Sequence, residues 1–134
     1  MRIFFDTNVL VASFISRGQC AELFEYCLAS HSICLTAFVL DEFKRVLSRQ
    51  KFPPTLIDDA VNLLVANALP VKATKLAAPA CRDEDDDAIL AGALEAKADC
   101  IVTGDQDLLV LEAYQGIEIL KPADFRRFER DRRG

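Results

Sequence analysis

At 134 residues, 51% hydrophobic and 28% charged, the chain has the length and balance of one globular domain with a substantial core. No apolar run approaches the roughly 20 residues needed to cross a bilayer, and Asp6 interrupts the first apolar stretch. Neither a membrane anchor nor a signal peptide is therefore expected, and a cytoplasmic location follows. Sixteen basic against 21 acidic residues give a net charge of −5, which argues against a dedicated nucleic-acid-binding surface.

Ile3, Phe4 and Phe5 suit a strand covered on both faces, and Asp6 stands at its carboxyl end before polar Thr7 and Asn8. Leu23, Phe24, Cys27 and Leu28 recur at helical spacing between Gln19 and Ala29. Ile33 to Thr36 is β-prone, and Phe38 to Arg49 is helical with Val39, Leu40, Phe43, Val46 and Leu47 on the buried face. After a break at Lys51 to Pro54, Thr55 opens a helix with Asp58 three residues on, a capping-box pattern. Pro70 to Thr74 reads as a short strand, and the acidic run Asp83 to Asp87 precedes a helix carrying Ile89, Leu90, Ala93 and Leu94. Cys100 to Thr103 is the next buried strand, followed by a short helix through Leu108, Leu109 and Leu111. Ile117 to Leu120 is the last strand, and Pro122 starts a terminal helix holding Phe125 and Phe128.

Strands alternating with helices give a three-layer α/β/α sandwich with a mostly parallel sheet, a single domain over residues 1–134. Right-handed crossovers put the carboxyl ends of the strands on one edge, where ligands bind in such sheets, so Asp6 and Asp105 converge there. The basic tail from about residue 126 holds five arginines against Glu129 and Asp131, a net of +3, which leaves −8 on residues 1–125. Such a tail reads either as a solvated, frayed terminus or as an element contacting phosphates or a partner.

Five cysteines, odd in number and without a C-x-x-C pair, argue against a disulfide framework and a zinc site. His31 is the sole histidine, expected as a surface residue in a helix-to-strand turn, and its isolation disfavours Ser-His-Asp, Cys-His and two-histidine metal chemistry. No glycine-rich phosphate loop or nucleophile elbow occurs. What remains is carboxylate. Asp83, Glu84, Asp85, Asp86 and Asp87 exceed what one helix start needs for capping and dipole complementarity, and a divalent cation would relieve their repulsion. Asp6, Asp105 and Asp107 each have a cap or turn role that would suffice alone, and Glu42 by itself reads as a solvated helix residue. Hard oxygen ligands without imidazole or thiolate favour Mg²⁺ or Mn²⁺ over zinc.

DTNVL at the start, LDEF around Glu42 and DDDAILAGALEAKADCIVTGDQDLL in the second half, in this order and at this length, resemble a PIN-domain nuclease. The likeness is to the bacterial PIN proteins of toxin–antitoxin pairs. It implies a parallel α/β/α sandwich that cleaves single-stranded RNA in a metal-dependent way. By motif, the four catalytic and metal-binding acids are Asp6, Glu42, Asp87 (followed by Ala88, Ile89 and Leu90) and Asp105. Asn8, Thr103, Asp107 and Asp86 match supporting positions, and Asp85 or Asp86 stands as an alternative third ligand to Asp87. The resemblance further implies a cognate antitoxin protein and a homodimer. Two rival readings remain: a Mg²⁺-dependent phosphatase of the haloacid-dehalogenase type, although Asn8 stands where that family has a second aspartate, and a catalytically silent RNA- or protein-binding PIN module.

Overall fold

The structure is a computed structural model that describes residues 1–133. The apolar run at the N-terminus becomes β1 (Arg2–Phe5), paired in parallel with β2 (Ser32–Thr36) on one side and β4 (Cys100–Val102) on the other. Beyond these lie β3 (Leu69–Val71), parallel to β2, and β6 (Ile117–Leu120), parallel to β4. β5 (Ala113–Tyr114) adds an antiparallel edge on β6, so the sheet runs β3-β2-β1-β4-β6-β5. Helices α1 (Thr7–Ile15), α2 (Gln19–Ser30), α3 (Ala37–Arg49), α4 (Pro54–Asn67), α5 (Glu84–Ala96), α6 (Gln106–Leu109) and α7 (Phe125–Arg133) flank it. Among the described residues no helix is long and apolar enough to cross a membrane.

The pleat of β1 divides its two phenylalanines between the layers. Phe5 meets the Phe24 ring of α2 edge-on at 6.1 Å, and Phe14 of α1 bridges Phe24 and Phe43 at 5.3 Å each. Phe4 points to the other face, against α5. There Gly92 allows the close approach, because a Cβ at this position would stand 2.7 Å from Phe4 Cζ and 2.9 Å from Thr36 Cγ2.

Several expectations are corrected. α4 begins at Pro54 after Pro53, with no side-chain cap, so Thr55 already lies in the first turn and the Thr55–Asp58 capping box does not form; proline's fixed φ starts the helix instead. The strand expected over Pro70–Thr74 is Leu69–Val71, because its partner β2 ends at Thr36, opposite Val71, where Thr36 turns to cap α3. β5, too short for an alternation signal, forms because Gln115 (φ 47°) and Gly116 (φ 85°) make a two-residue turn into β6.

His31 is not a surface residue. Only 6% of its side chain is exposed, and it stands between the Met1 amine (3.1 Å at Nδ1) and Glu129 (2.5 Å at Nε2). The C-terminal segment is likewise a docked helix and not a frayed end: Phe125 and Glu129 are buried, and Tyr26 donates to Glu129 at 2.7 Å, while Arg126, Arg127, Arg130 and Arg132 stay exposed. α7 runs back from β6 toward the amino ends of the strands, where Arg132 pairs with Asp99, the residue before β4, at 2.7 Å. Its arginines thus lead away from the edge that carries Asp6 and Asp105. Gly134, the last residue of the expected tail, lies outside the described residues.

Candidate metal centre

The site forms because two strands, β1 and β4, lead into aspartates that both cap the next helix and face the acid cluster, and the first turn of α5 brings in a third. Asp6 leaves β1 in extended geometry and caps α1: its Oδ1 accepts the Thr7 N–H at 2.7 Å. Its own N–H donates to Val102 O at 2.9 Å, which holds it against the end of β4. There the Thr103 hydroxyl, fully buried, donates to Asp6 Oδ2 at 2.7 Å and accepts the Asp105 N–H at 3.0 Å. Asp105 in turn caps α6 through the Asp107 N–H at 2.9 Å. A capping carboxylate uses one oxygen on the helix and keeps lone pairs for other partners. The structural and the ligand readings of these residues are therefore compatible.

The third segment is the start of α5, capped by Asp83 through the Asp85 N–H at 2.9 Å. Here the acids diverge. Asp86 is buried and faces Asp105 and Asp107: one carboxylate oxygen from each of these three lies within 4.8 Å of the others. Asp87 points elsewhere, its Oδ1 accepting the backbone N–H groups of Ala80 (3.1 Å) and Cys81 (2.8 Å) and so pinning the loop before α5. The structure thus brings Asp86, not Asp87, into the cluster. One residue of helix rotates a side chain by about 100°, so only one of two adjacent acids can face the strand ends. The apolar residues after Asp87 do not distinguish them, because Ile89 and Leu90 are both buried.

Glu42 arrives on α3 and joins through Thr7, whose hydroxyl donates to Glu42 Oε1 at 3.0 Å. Thr7 thus bridges Asp6 and Glu42 by its amide and its hydroxyl. Sequence reasoning passed over it, although its place directly after the capping aspartate is the available signal. Asn8 lies exposed on α1, and no hydrogen bond engages its amide among the described residues. Asp107 is exposed and pairs with Arg82 at 3.1 Å, an ion pair in solvent that contributes little.

The electrostatics are those of a crowded anionic pocket. Burial, opposed by hydrogen bonds from Thr103 and Thr7 and reinforced by the Asp105 charge, raises the Asp6 carboxyl above its ordinary range. Burial, then a hydrogen bond shared with Asp105 and the charges of Asp105, Asp83 and Asp6, pushes Asp86 up to about 7. Glu42 is raised by partial burial and by the charges of Asp85 and Asp6, against the lowering contact with Thr7. The donors are hard oxygens throughout and could hold Mg²⁺ or Mn²⁺, which would replace the proton that Asp86 retains.

A sequence model of the PIN-domain family matches residues 2–107. A comparison with curated proteins finds no significant match. Among solved structures the chain shares its fold with VapBC2 from Rickettsia felis, solved bound to a DNA fragment from their promoter (TM-score 0.64, 13% identity, 89% of this chain and 97% of that one). It also resembles the sarcin–ricin loop cleaving toxin VapC20 from Mycobacterium tuberculosis (TM-score 0.60, 15% identity, 87% and 98%). FitAcB from Neisseria gonorrhoeae is similar at TM-score 0.55 and 13% identity, over 90% and 98%. The family match spans both strand-end aspartates and the intervening acidic helix start, and the chain belongs to the PIN-domain family.

Proposed function

We propose that this chain is a divalent-metal-dependent endoribonuclease acting on single-stranded RNA, the toxin of a cytoplasmic toxin–antitoxin pair. The observation that carries the proposal is the carboxylate cluster at the strand ends: buried Asp6 and half-buried Asp105 share the Thr103 hydroxyl, and buried Asp86 faces Asp105, with no buried lysine or arginine among the described residues. Asp6, Asp86 and Asp105 would hold Mg²⁺ or Mn²⁺, with Asp107 on the exposed side; Asp86 takes the place first given to Asp87. A divalent ion bound there would neutralise charge on the phosphodiester and on the departing oxygen.

The protein's own groups do the rest. Thr103 and the Thr7 amide orient Asp6 with both oxygens engaged. This weighs against Asp6 as the nucleophile that a haloacid-dehalogenase phosphatase needs. Glu42, held by Thr7 and with raised proton affinity, accepts the proton of the attacking water. In-line attack at phosphorus with a departing 3′ oxygen leaves a 5′ phosphate.

The toxin role, the cognate antitoxin and a homodimer rest on the likeness to VapBC2, VapC20 and FitAcB. The whole chain acts as one domain. Purified protein should cleave single-stranded RNA in Mn²⁺ but not in chelator, and Asp6→Asn and Asp105→Asn should each abolish cleavage while keeping the circular-dichroism spectrum. Cleavage that persists in the double variant refutes the proposal.

A further inference from the structure

We infer that the cavity beside the acid cluster is a guanine-binding subsite, where a base stacks on Phe38 and Glu84 and Asp85 read its Watson–Crick edge. The inference takes its ligand class from the ribonuclease reading. A cavity of about 490 Å³ opens between the first turn of α3, residues 73–79 and the start of α5, within the range of small-molecule sites. Phe38, Leu76 and Pro79 supply apolar walls, and Lys75, Glu84 and Asp85 supply charge. Among the described residues no hydrogen bond or ion pair engages the Lys75, Glu84 or Asp85 side chains. Asp87 also lines the cavity, but its carboxylate is committed to the amides of Ala80 and Cys81 and serves to fix the wall.

The cavity adjoins the proposed cleavage site through the first turn of α5, where Asp85 and Asp87 line the cavity and Asp86 between them faces Asp105. A nucleotide seated there would be next to the phosphodiester at the acids. Proteins that read single-stranded RNA splay a base onto an aromatic ring and bond its Watson–Crick edge. Ionised carboxylates only accept hydrogen bonds. Guanine presents two adjacent donors on that edge, N1–H and N2–H. Adenine and cytosine put a ring-nitrogen acceptor beside their amine, and uracil flanks its single N3–H with two carbonyls. A carboxylate-lined edge therefore selects guanine, and Lys75 supplies a cation for a phosphate of the same strand.

The test is titration of the full chain with 5′-GMP, AMP, CMP and UMP in chelator, read by amide shifts in ¹H–¹⁵N spectra. GMP should shift the amides of Phe38, Leu76 and Ala88 and bind about ten-fold tighter than AMP, the ratio expected for one good bidentate contact. Phe38→Leu, which keeps apolar volume without the ring face, should weaken all nucleotides, and Phe38→Trp should restore binding. Glu84→Gln and Asp85→Asn should erase the guanine preference while leaving the stacking shifts. Equal binding of the four nucleotides, no shift at these amides, or a preference that survives both carboxylate variants overturns the inference. Because binding is read without metal, loss of the subsite with Mn²⁺-dependent RNA cleavage intact refutes this inference alone. Guanine binding without any cleavage refutes the ribonuclease reading instead.

Discussion

Replacing Asp86 with asparagine should stabilise the metal-free protein at alkaline pH, although Asp86 is a proposed ligand. Its carboxyl is raised from 3.8 to about 7 by burial and by its acidic neighbours. Below pH 4 it is protonated in both the folded and unfolded states and contributes nothing to the pH dependence. Between pH 4 and 7 the folded state binds the proton that the unfolded state has lost, so stability falls as pH rises; above 7 the penalty is constant. At 1.36 kcal/mol per pH unit, a rise of this size amounts to about 4 kcal/mol at most. Asparagine, isosteric and neutral, carries no such dependence. The stability difference between Asp86→Asn and wild type should therefore grow by up to about 4 kcal/mol from pH 4 to pH 8 in chelator, about 14 °C in Tm for a chain of this length. Thermal melts across this range measure it directly. Saturating Mg²⁺ or Mn²⁺ should raise the wild-type Tm at pH 8, through binding to the native state, and leave the variant little changed. A pH profile and metal response identical in the two proteins would refute the account of the cluster; the same experiment on Asp87→Asn should leave the metal response intact.

Thr103→Val removes the hydroxyl that links Asp6 to Asp105; it should cost about 1–3 kcal/mol in urea unfolding through the unpaired buried acceptor and suppress the metal-induced Tm rise. Gly92→Ala places a methyl 2.7 Å from Phe4 Cζ and should cost about 1–3 kcal/mol, recovered in part by Phe4→Leu. Glu129→Ala strips His31 and Tyr26 of their shared acceptor; a loss of about 3 kcal/mol, with proteolysis first within α7, is expected for breaking a buried pair. Unchanged stability in that variant would mean that the packing of Phe125 and Phe128 and the Arg132–Asp99 pair hold α7 without Glu129.

The order of strands and helices was legible because the apolar periodicities that define them are local. IFF, ICLT, CIVT and IEIL mark four of the six strands. Elements decided by pairing or by backbone conformation were not: β5 exists only against β6, and the end of β3 depends on where Thr36 departs. The burial of His31 is illegible in the sequence for a related reason. Its burial comes from Glu129 on α7, 98 residues away, a contact that no local pattern encodes. The acids Asp6 and Asp105 were readable as strand-end residues, whereas the choice between Asp86 and Asp87 turned on which way one helix faces.

What the sequence determined by itself is the chemistry: carboxylate oxygens, no usable histidine pair or thiol set, and two aspartates at strand ends destined for one edge of a parallel sheet. Only tertiary structure decided which acids meet, that Thr7 and Thr103 tie them together, and that the arginine-rich helix turns to the opposite edge. The physical reason is range. Composition and periodicity are properties of neighbouring residues, while ligand geometry depends on helix rotation and on partners up to 97 residues apart.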